Sequence, residues 1–376
     1  MSLLNFIKTV YRLFRYKAEW KKLFREFKIR KSQKASIRII DPESEQLVLF
    51  FIPGADYFTG KENISGGLIS IVSLVQETTK IFEGKDTKIL CATYYGDHLI
   101  YKLTSFENET VVLNPNLIES YFNHVKSLIL HIPELFVEDF VLKHLNNRWI
   151  GRIENIHISI MNQNIQLMPS VDVIRNLSNR FSNCTITTAH MKYCTQDLCF
   201  KYKVPIHQLS VWISPENYTN IDYSEKANVI LFSPDNQSLS EQVIDYLQFK
   251  YDSYQYQIIS GLSYEAYKEL ISKAKFVVTT GEGLDAYFIE TYFSGGVAFA
   301  IKNLNFFDEK YLELPCLFED IDALENQIEK LIVAFDNSEK YKALNLSVHK
   351  LLSQDYSYQT YQKNLKNFYR REYTCA

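Results

Sequence analysis

Two carboxylates, Glu282 and Glu290, stand in the stretch "VVTTGEGLDAYFIETYFSGGVAFAI", residues 277–301. The apolar run "FVVTT" reads as a strand that ends at Gly281,. Glu282 and Gly283 then form a turn, and Leu284 leads to Asp285, a residue type suited to capping the helix that carries Glu290,. In doubly wound α/β sheets, ligands bind beyond the carboxyl ends of strands, where loops open into helix N-termini. Free backbone amides at such an N-terminus favour an anion, and a nucleotide diphosphate is the natural candidate. Glu282 sits at the mouth of the turn, where a carboxylate accepts hydrogen bonds from sugar hydroxyls. Glu290 lies about a turn and a half further in at 3.6 residues per turn, so it reaches a different part of the ligand. The division of labour is one carboxylate for a sugar and one for a ribose. The competing reading is two solvated carboxylates, since charged side chains are mostly exposed. Against it, Glu290 is flanked by Ile289, Tyr292 and Phe293 in a largely apolar helix.

Other residue types with chemistry lie nearer the N-terminus. Gly66 and Gly67 precede an apolar helical pattern and let a ligand approach the backbone closely, although a plain tight turn has the same signature,. His98, His131 and His190 follow strand-like runs and are candidates for acid–base work or for satisfied structural roles,. Asn162 and Gln163 are candidate partners of acceptor hydroxyls. His190, Cys194 and Cys199 invite a zinc reading, but their spacing fits no standard pattern and lacks a fourth ligand,. No Ser/His/Asp order, Walker loop, GxGxxG or basic groove for nucleic acid is present,.

The elements that must position these residues alternate along the chain. Strands are expected at 46–53, 87–95, 126–133, 156–163, 184–190 and 209–214, with helices at 66–82 and 170–181 between them,. A polar break at 214–228 separates a second series, with strands at 229–234, 256–260, 276–281 and 297–301. Its helices are expected near 239–250, 264–274, 285–294 and 320–335. Strands apolar on both faces belong to sheets covered by helices, which predicts an α/β fold with parallel sheets in two Rossmann-like domains facing a cleft. The expected division is a leader (1–35), a first domain (36–213), a second domain (214–350) and a helical tail (351–376).

Composition agrees with a globular protein: 376 residues, 46% hydrophobic, 23% charged, with 26 Tyr and 25 Phe,. The net charge of −3 conceals an asymmetry, because residues 1–35 carry +9 and leave −12 on the rest,. Leu3, Ile7, Val10, Tyr11, Phe14, Trp20, Leu23, Phe24 and Phe27 fall at helical spacing among those basic residues,. Such a segment either lies in the interface of an anionic membrane or packs its aromatic face on its own domain. No apolar run reaches the roughly 20 residues of a membrane span, and six cysteines without a framework fit reduced thiols, so a cytoplasmic protein is expected,.

The residues "EGLDAYFIE", Glu282 to Glu290, resemble the E-x7-E motif of retaining GT-B glycosyltransferases, and "TYFSGGVAFAI" resembles its continuation. The resemblance implies a nucleotide-sugar donor held by the second domain, through Gly281, Glu282, Gly283, Leu284, Asp285 and Glu290. It implies that Glu282 contacts the donor sugar or its leaving phosphate region and that Glu290 binds the ribose. Gly66 and Gly67 are similar to the glycine-rich turn that these families place in the acceptor domain, where Asn162 would add an acceptor contact. His131 and His190 are the accompanying candidates for acid–base or oxyanion work. Two departures stand out. Asp285 replaces a common glycine, which requires its carboxylate to cap the helix or face the sugar. "FSPDNQSLSEQ" lacks the Arg and Lys that commonly meet the phosphates, leaving Lys273, Lys275 and Lys302 as substitutes. The expected activity is sugar transfer to a glycan or lipid-linked saccharide in bacterial polysaccharide (capsule) synthesis, without metal or other cofactor. The chain is expected to touch the membrane through residues 1–30 and to bind no nucleic acid. Alternatives are a non-catalytic GT-B-like subunit and a nucleotide-sugar epimerase or hydrolase.

Overall fold

The computed structural model describes residues 23–54, 66–103, 108–210 and 218–376. They form two compact units, one of the described residues between 23 and 159 with 179–183, and one of those in 160–178 with 184–376.

In the first unit, helix α1 covers residues 23–37 of the basic leader, and residues 1–22 lie outside the described residues. Its C-terminal half is anchored: Gln33 Nε2 donates to the carbonyls of Ile100 and Val112, at 3.0 Å each, and Ile37 is buried. In its N-terminal half Leu23, Phe24 and Phe27 are 56%, 60% and 64% exposed. β1 (Gln46–Ile52) pairs in parallel with β2 (Thr87–Thr93) and with β5 (Ser127–Pro133). Every residue of β1 after Gln46 is buried, as a central strand covered on both faces requires,. One cover is α2 (Gly66–Ile81), which buries Leu68, Ile71, Val72 and Val75. β3 (Lys102–Leu103) and β4 (Asn108–Leu113) add an antiparallel edge. The strand order is β3-β4-β2-β1-β5-β6, with α3 (Pro115–Tyr121), α4 (Glu134–Asp139) and β6 (Asn155–Asn162) completing the elements up to the boundary.

The second unit takes the end of β6, α5 (Val171–Arg180) up to Ser178, and then β7 (Asn183–Thr188) from Cys184 on, α6 (Gln196–Tyr202) and β8 (Ile206–Gln208). Of the strand expected at 209–214, residues 211–214 lie outside the described residues; β8, just before it, pairs with β7, Ile186 against Ile206. Residues 211–217 lie outside the described residues.

A five-stranded parallel sheet follows: β9 (Ala227–Phe232), β10 (Gln255–Ile258), β11 (Ala274–Thr279), β12 (Val297–Ile301) and β13 (Leu317–Phe318). Its order is β10-β9-β11-β12-β13, so the winding reverses between β9 and β11, and the carboxyl ends of those two strands form the topological switch point,. Helices α7 (Gln237–Lys250), α8 (Tyr264–Lys273), α9 (Ala286–Phe293) and α10 (Ile321–Phe335) match the expected pattern closely. α11 (Ser338–Tyr356) and α12 (Tyr358–Arg370) end the chain, beyond which Cys375 bridges back to Ile206.

The tyrosine content has a physical use here. Tyr292, Tyr311 and Tyr341 are almost fully buried, and a buried hydroxyl needs a partner,. Tyr292 donates to Ala298 O at 2.9 Å, Tyr311 to Asp355 Oδ2 at 2.6 Å, and Tyr341 to the carbonyl of Lys275.

The anchor of α1 is testable. Gln33→Ala removes two buried donor bonds, which at about 1 kcal/mol each should lower stability by roughly 2 kcal/mol,. Urea unfolding measures that loss, and amide exchange across residues 27–37 should accelerate with it.

Candidate functional site

The strand–turn–helix that carries the two glutamates is built by close contacts. β11 is buried along its whole length, and α9 begins at Ala286 with Asp285 as its cap. One Asp285 oxygen accepts the amide of Phe288 at 2.9 Å, and the other accepts the Thr279 hydroxyl at 2.5 Å. The cap role that its carboxylate required is therefore filled, and one of the amides expected to face an anion is already spent. Burial pushes the Asp285 carboxyl up to about 7; Thr279 and the Phe288 amide oppose the shift, and the charges of Asp235 and Glu282 add to it,.

Both glycines of the turn are forced by their neighbours. A Cβ on Gly281 would come within 2.7 Å of the Asp235 carboxylate. Gly283 has φ +84°, and a Cβ there would lie 2.6 Å from the Phe307 ring and 2.7 Å from Ile301 O,. Leu284 turns into the core with 2% exposure, so only its backbone can meet a ligand.

Glu290 is not a surface decoration. It is 1% exposed, and Tyr264 donates to its Oε1 at 3.4 Å. The Tyr218 and Tyr264 hydroxyls lie 3.0 Å apart, and Tyr267 completes the surround. Burial lifts the carboxyl to about 7, opposed by the hydroxyls of Tyr218, Tyr267 and Tyr264,. Oε2 is buried without a hydrogen-bond partner. The reading as a solvated carboxylate fails for this residue, because the apolar face of α9 carries Glu290 inward with Phe288, Ile289 and Tyr292.

Glu282 is half-buried and reached from the segment after β6. Asn164 Nδ2 donates to Glu282 Oε1 at 2.6 Å. Asn162 is 3% exposed, and its amide donates to Asn164 O at 2.8 Å, so that donor holds a turn and does not project outward. His190, after β7, is 5% exposed with Nδ1 unpartnered, and its ring meets Phe306 edge-on at 5.5 Å. Burial, with Lys192 adding, lowers its pKa to about 4, so it is a neutral imidazole at pH 7. Lys192 donates to the carbonyls of Leu304 and Phe307, and Tyr193 donates to Asn305 O at 2.6 Å. Residues 304–307 thus join the His190 segment to the glycine turn: Phe306 touches His190, and Phe307 fills the space that a Cβ on Gly283 would need.

The structure accordingly gathers Asn162, His190 and residues 281–290 in the second unit, whereas Gly66, Gly67 and His131 belong to the first. Gly66 opens α2, and a Cβ on it would meet nothing within 4 Å, so at this residue no crowding calls for glycine. His131 does not face a cleft. It has no exposed surface and stacks on Phe50 at 4.1 Å, and burial, with His157 adding, holds its pKa well below the usual range. The His98 carbonyl would lie 2.3 Å from a Cβ on Gly54, which places its backbone at the end of β1.

The lysines offered as substitutes for the phosphate pair are engaged elsewhere. Lys273 pairs with Glu269 at 2.5 Å, Lys275 with Asp336 at 2.8 Å, and Lys302 with Glu319. Among the described residues, no group of three or more His, Cys, Asp or Glu is placed to hold a metal ion. Sequence reasoning missed Asn164, Lys192, Asp235 and the three tyrosines around Glu290. Only Asn164 and Asp235 carried a signal, as polar residues just beyond strands that end at the ligand-binding side of a sheet,.

No family model and no curated protein matches this chain. Solved structures do. HepE of Anabaena, in complex with UDP and glucose, aligns with a TM-score of 0.58 at 10% identity, covering 87% of this chain and 100% of that one. Sucrose-phosphate synthase of Thermosynechococcus elongatus aligns at 0.54 and 9% identity, covering 87% and 99%. The catalytic domain of starch synthase IV from Arabidopsis thaliana, bound to ADP and acarbose, aligns at 0.56 and 9% identity, covering 87% and 99%. The chain has the α/β fold with parallel sheets of the GT-B glycosyltransferases.

The titration of Glu290 gives a stability test. Its carboxyl binds a proton more tightly folded (about 7) than unfolded (4.5), so its favourable contribution is complete below pH 4.5 and is lost as pH rises through 7,. Glu290→Gln stays neutral throughout. Relative to wild type it should gain about 3 kcal/mol between pH 4.5 and 8, measured by urea unfolding at each pH,.

Proposed function

We propose that this protein is a nucleotide-sugar-dependent glycosyltransferase whose donor binds in the second unit, beyond the carboxyl ends of β9 and β11. One observation carries the reading. A carboxylate on a glycine turn and a second one eight residues on, buried in the following helix, stand at the switch point of a parallel sheet in a chain with a GT-B fold. The complexes of HepE with UDP, UDP-glucose, or UDP and glucose support a nucleoside diphosphate sugar as the donor class.

Glu282 accepts hydrogen bonds from donor-sugar hydroxyls, and the E-x7-E resemblance makes Glu290 the ribose partner, which requires its buried, unpartnered Oε2 to be uncovered when the donor binds. His190, neutral at pH 7, offers its unpartnered Nδ1 as a hydrogen-bonding group and not as a charged acid. The acceptor is a glycan or lipid-linked saccharide of a surface polysaccharide, transferred with retention of configuration, as the E-x7-E resemblance implies. The +9 leader and the exposed Leu23, Phe24 and Phe27 of α1 support docking to an anionic membrane at the cytoplasmic face,. No helix among the described residues is long and apolar enough to cross a membrane.

A second reading, a non-catalytic subunit of the same fold, draws on the charges at the turn. Asp235, Glu282 and Asp285 crowd it, and the three lysines offered as phosphate partners are paired elsewhere. Calorimetry with UDP, GDP and their sugar derivatives separates the two. Binding of one of them, with sugar transfer that falls at least 100-fold in Glu282→Gln, is expected for the enzyme. Absence of heat with every nucleotide sugar would favour the subunit. Deleting residues 1–30 should abolish co-sedimentation with anionic vesicles while leaving neutral vesicles unbound.

A further inference from the structure

We propose that Asn164 is a positioning residue for Glu282, an inference that rests on the transferase reading above. The amide of Asn164 has only one orientation open to it. Its Oδ1 accepts the backbone amide of Gln166 at 2.8 Å, capping the short helix of residues 165–167. Its Nδ2 must then point the other way, where it meets Glu282 Oε1 at 2.6 Å. Flipping the amide would set a carbonyl oxygen against a carboxylate and would leave Gln166 without its cap. The turn that carries Asn164 is itself held, because Asn162 Nδ2 donates to Asn164 O at 2.8 Å and Asn162 O accepts the amide of Ala189 at 3.3 Å. Glu282 stands between two glycines, Gly281 and Gly283. A donor bond to a carboxylate is stronger than one between neutral groups, so Asn164 holds Glu282 Oε1 and with it the orientation of the carboxylate,. Asn162, expected to touch the acceptor, becomes the support of this arrangement.

The test is a double-mutant cycle on sugar transfer. Asn164→Asp is the sharpest single change, since Asp keeps the cap on Gln166 but replaces the donor by an acceptor facing Glu282. It should lower kcat at least tenfold, with the donor KM within about threefold and Tm within a few degrees of wild type. Asn164→Ala should lose roughly tenfold in wild type and nothing further in the Glu282→Gln background, because a residue that acts through Glu282 has no effect once that carboxylate is gone. Additive losses would mean that Asn164 only stabilises the fold, and a fully active Asn164→Asp would also overturn the proposal. A wild-type protein that transfers no sugar from any nucleotide donor would instead sink the transferase reading, and this inference with it.

Discussion

The turn between β11 and α9 depends on one carboxylate that bonds in two directions. Asp285 ties the start of α9 to its own helix through Phe288 and to the end of β11 through Thr279. With both ends fixed, the intervening residues must pass through a narrow space bounded by Asp235 on one side and by Phe307 and Ile301 on the other, which only glycine fits at 281 and 283. Glu282, between those glycines, is half-buried and accepts from Asn164. The same constraint explains why a residue whose charge would repel a phosphate is tolerated at this helix N-terminus. It is a structural cap whose carboxyl burial raises to about 7, so that it is only partly charged at neutral pH,.

Glu290 obeys a different balance. The helix turns it into a core rich in aromatic rings, where an unpaired charge is costly and three tyrosine hydroxyls only partly offset the loss of water,. The result is a carboxyl near its midpoint at neutral pH with one oxygen unsatisfied. Buried polar groups normally find a partner, so the orphaned oxygen marks a place where the fold has not optimised its own stability. Glu282 and Glu290 are thus set apart by environment: one half-exposed and hydrogen-bonded by an amide, the other sealed among phenols.

Much of the framework was legible from periodicity. Runs such as "VLFFI" and "FVVT" carry apolar residues on both faces, which only strands covered by helices on both sides can satisfy, and both proved buried throughout,. The helices at 66–82, 239–250, 264–274 and 285–294 followed from apolar spacing and capping residues, and each was found within a residue or two. β3, β4, β8 and β13 escaped notice, and for β3, β8 and β13 the reason is that strands of two or three residues hold too few side chains to show a period,. His131 escaped correct placement for another reason. Position at a strand end does not say whether a ring turns toward solvent or, like His131, stacks inside the sheet's cover.

The sequence by itself determined the parallel α/β character, the strand–turn–helix that bears Glu282 and Glu290, and the need for Asp285 to serve as a cap. These depend on local geometry: side-chain period, backbone freedom and hydrogen bonds within a few residues. Only the tertiary structure decided that Glu290 is buried by Tyr218, Tyr264 and Tyr267, that the candidate lysines are already paired, and that Asn164 reaches Glu282. Apart from the Lys273–Glu269 pair, four residues apart on one helix, those facts join residues distant along the chain, 118 positions for Asn164 and Glu282. Hydrogen bonds and burial are set by distance in space, which no spacing along one chain encodes until the sheets are assembled.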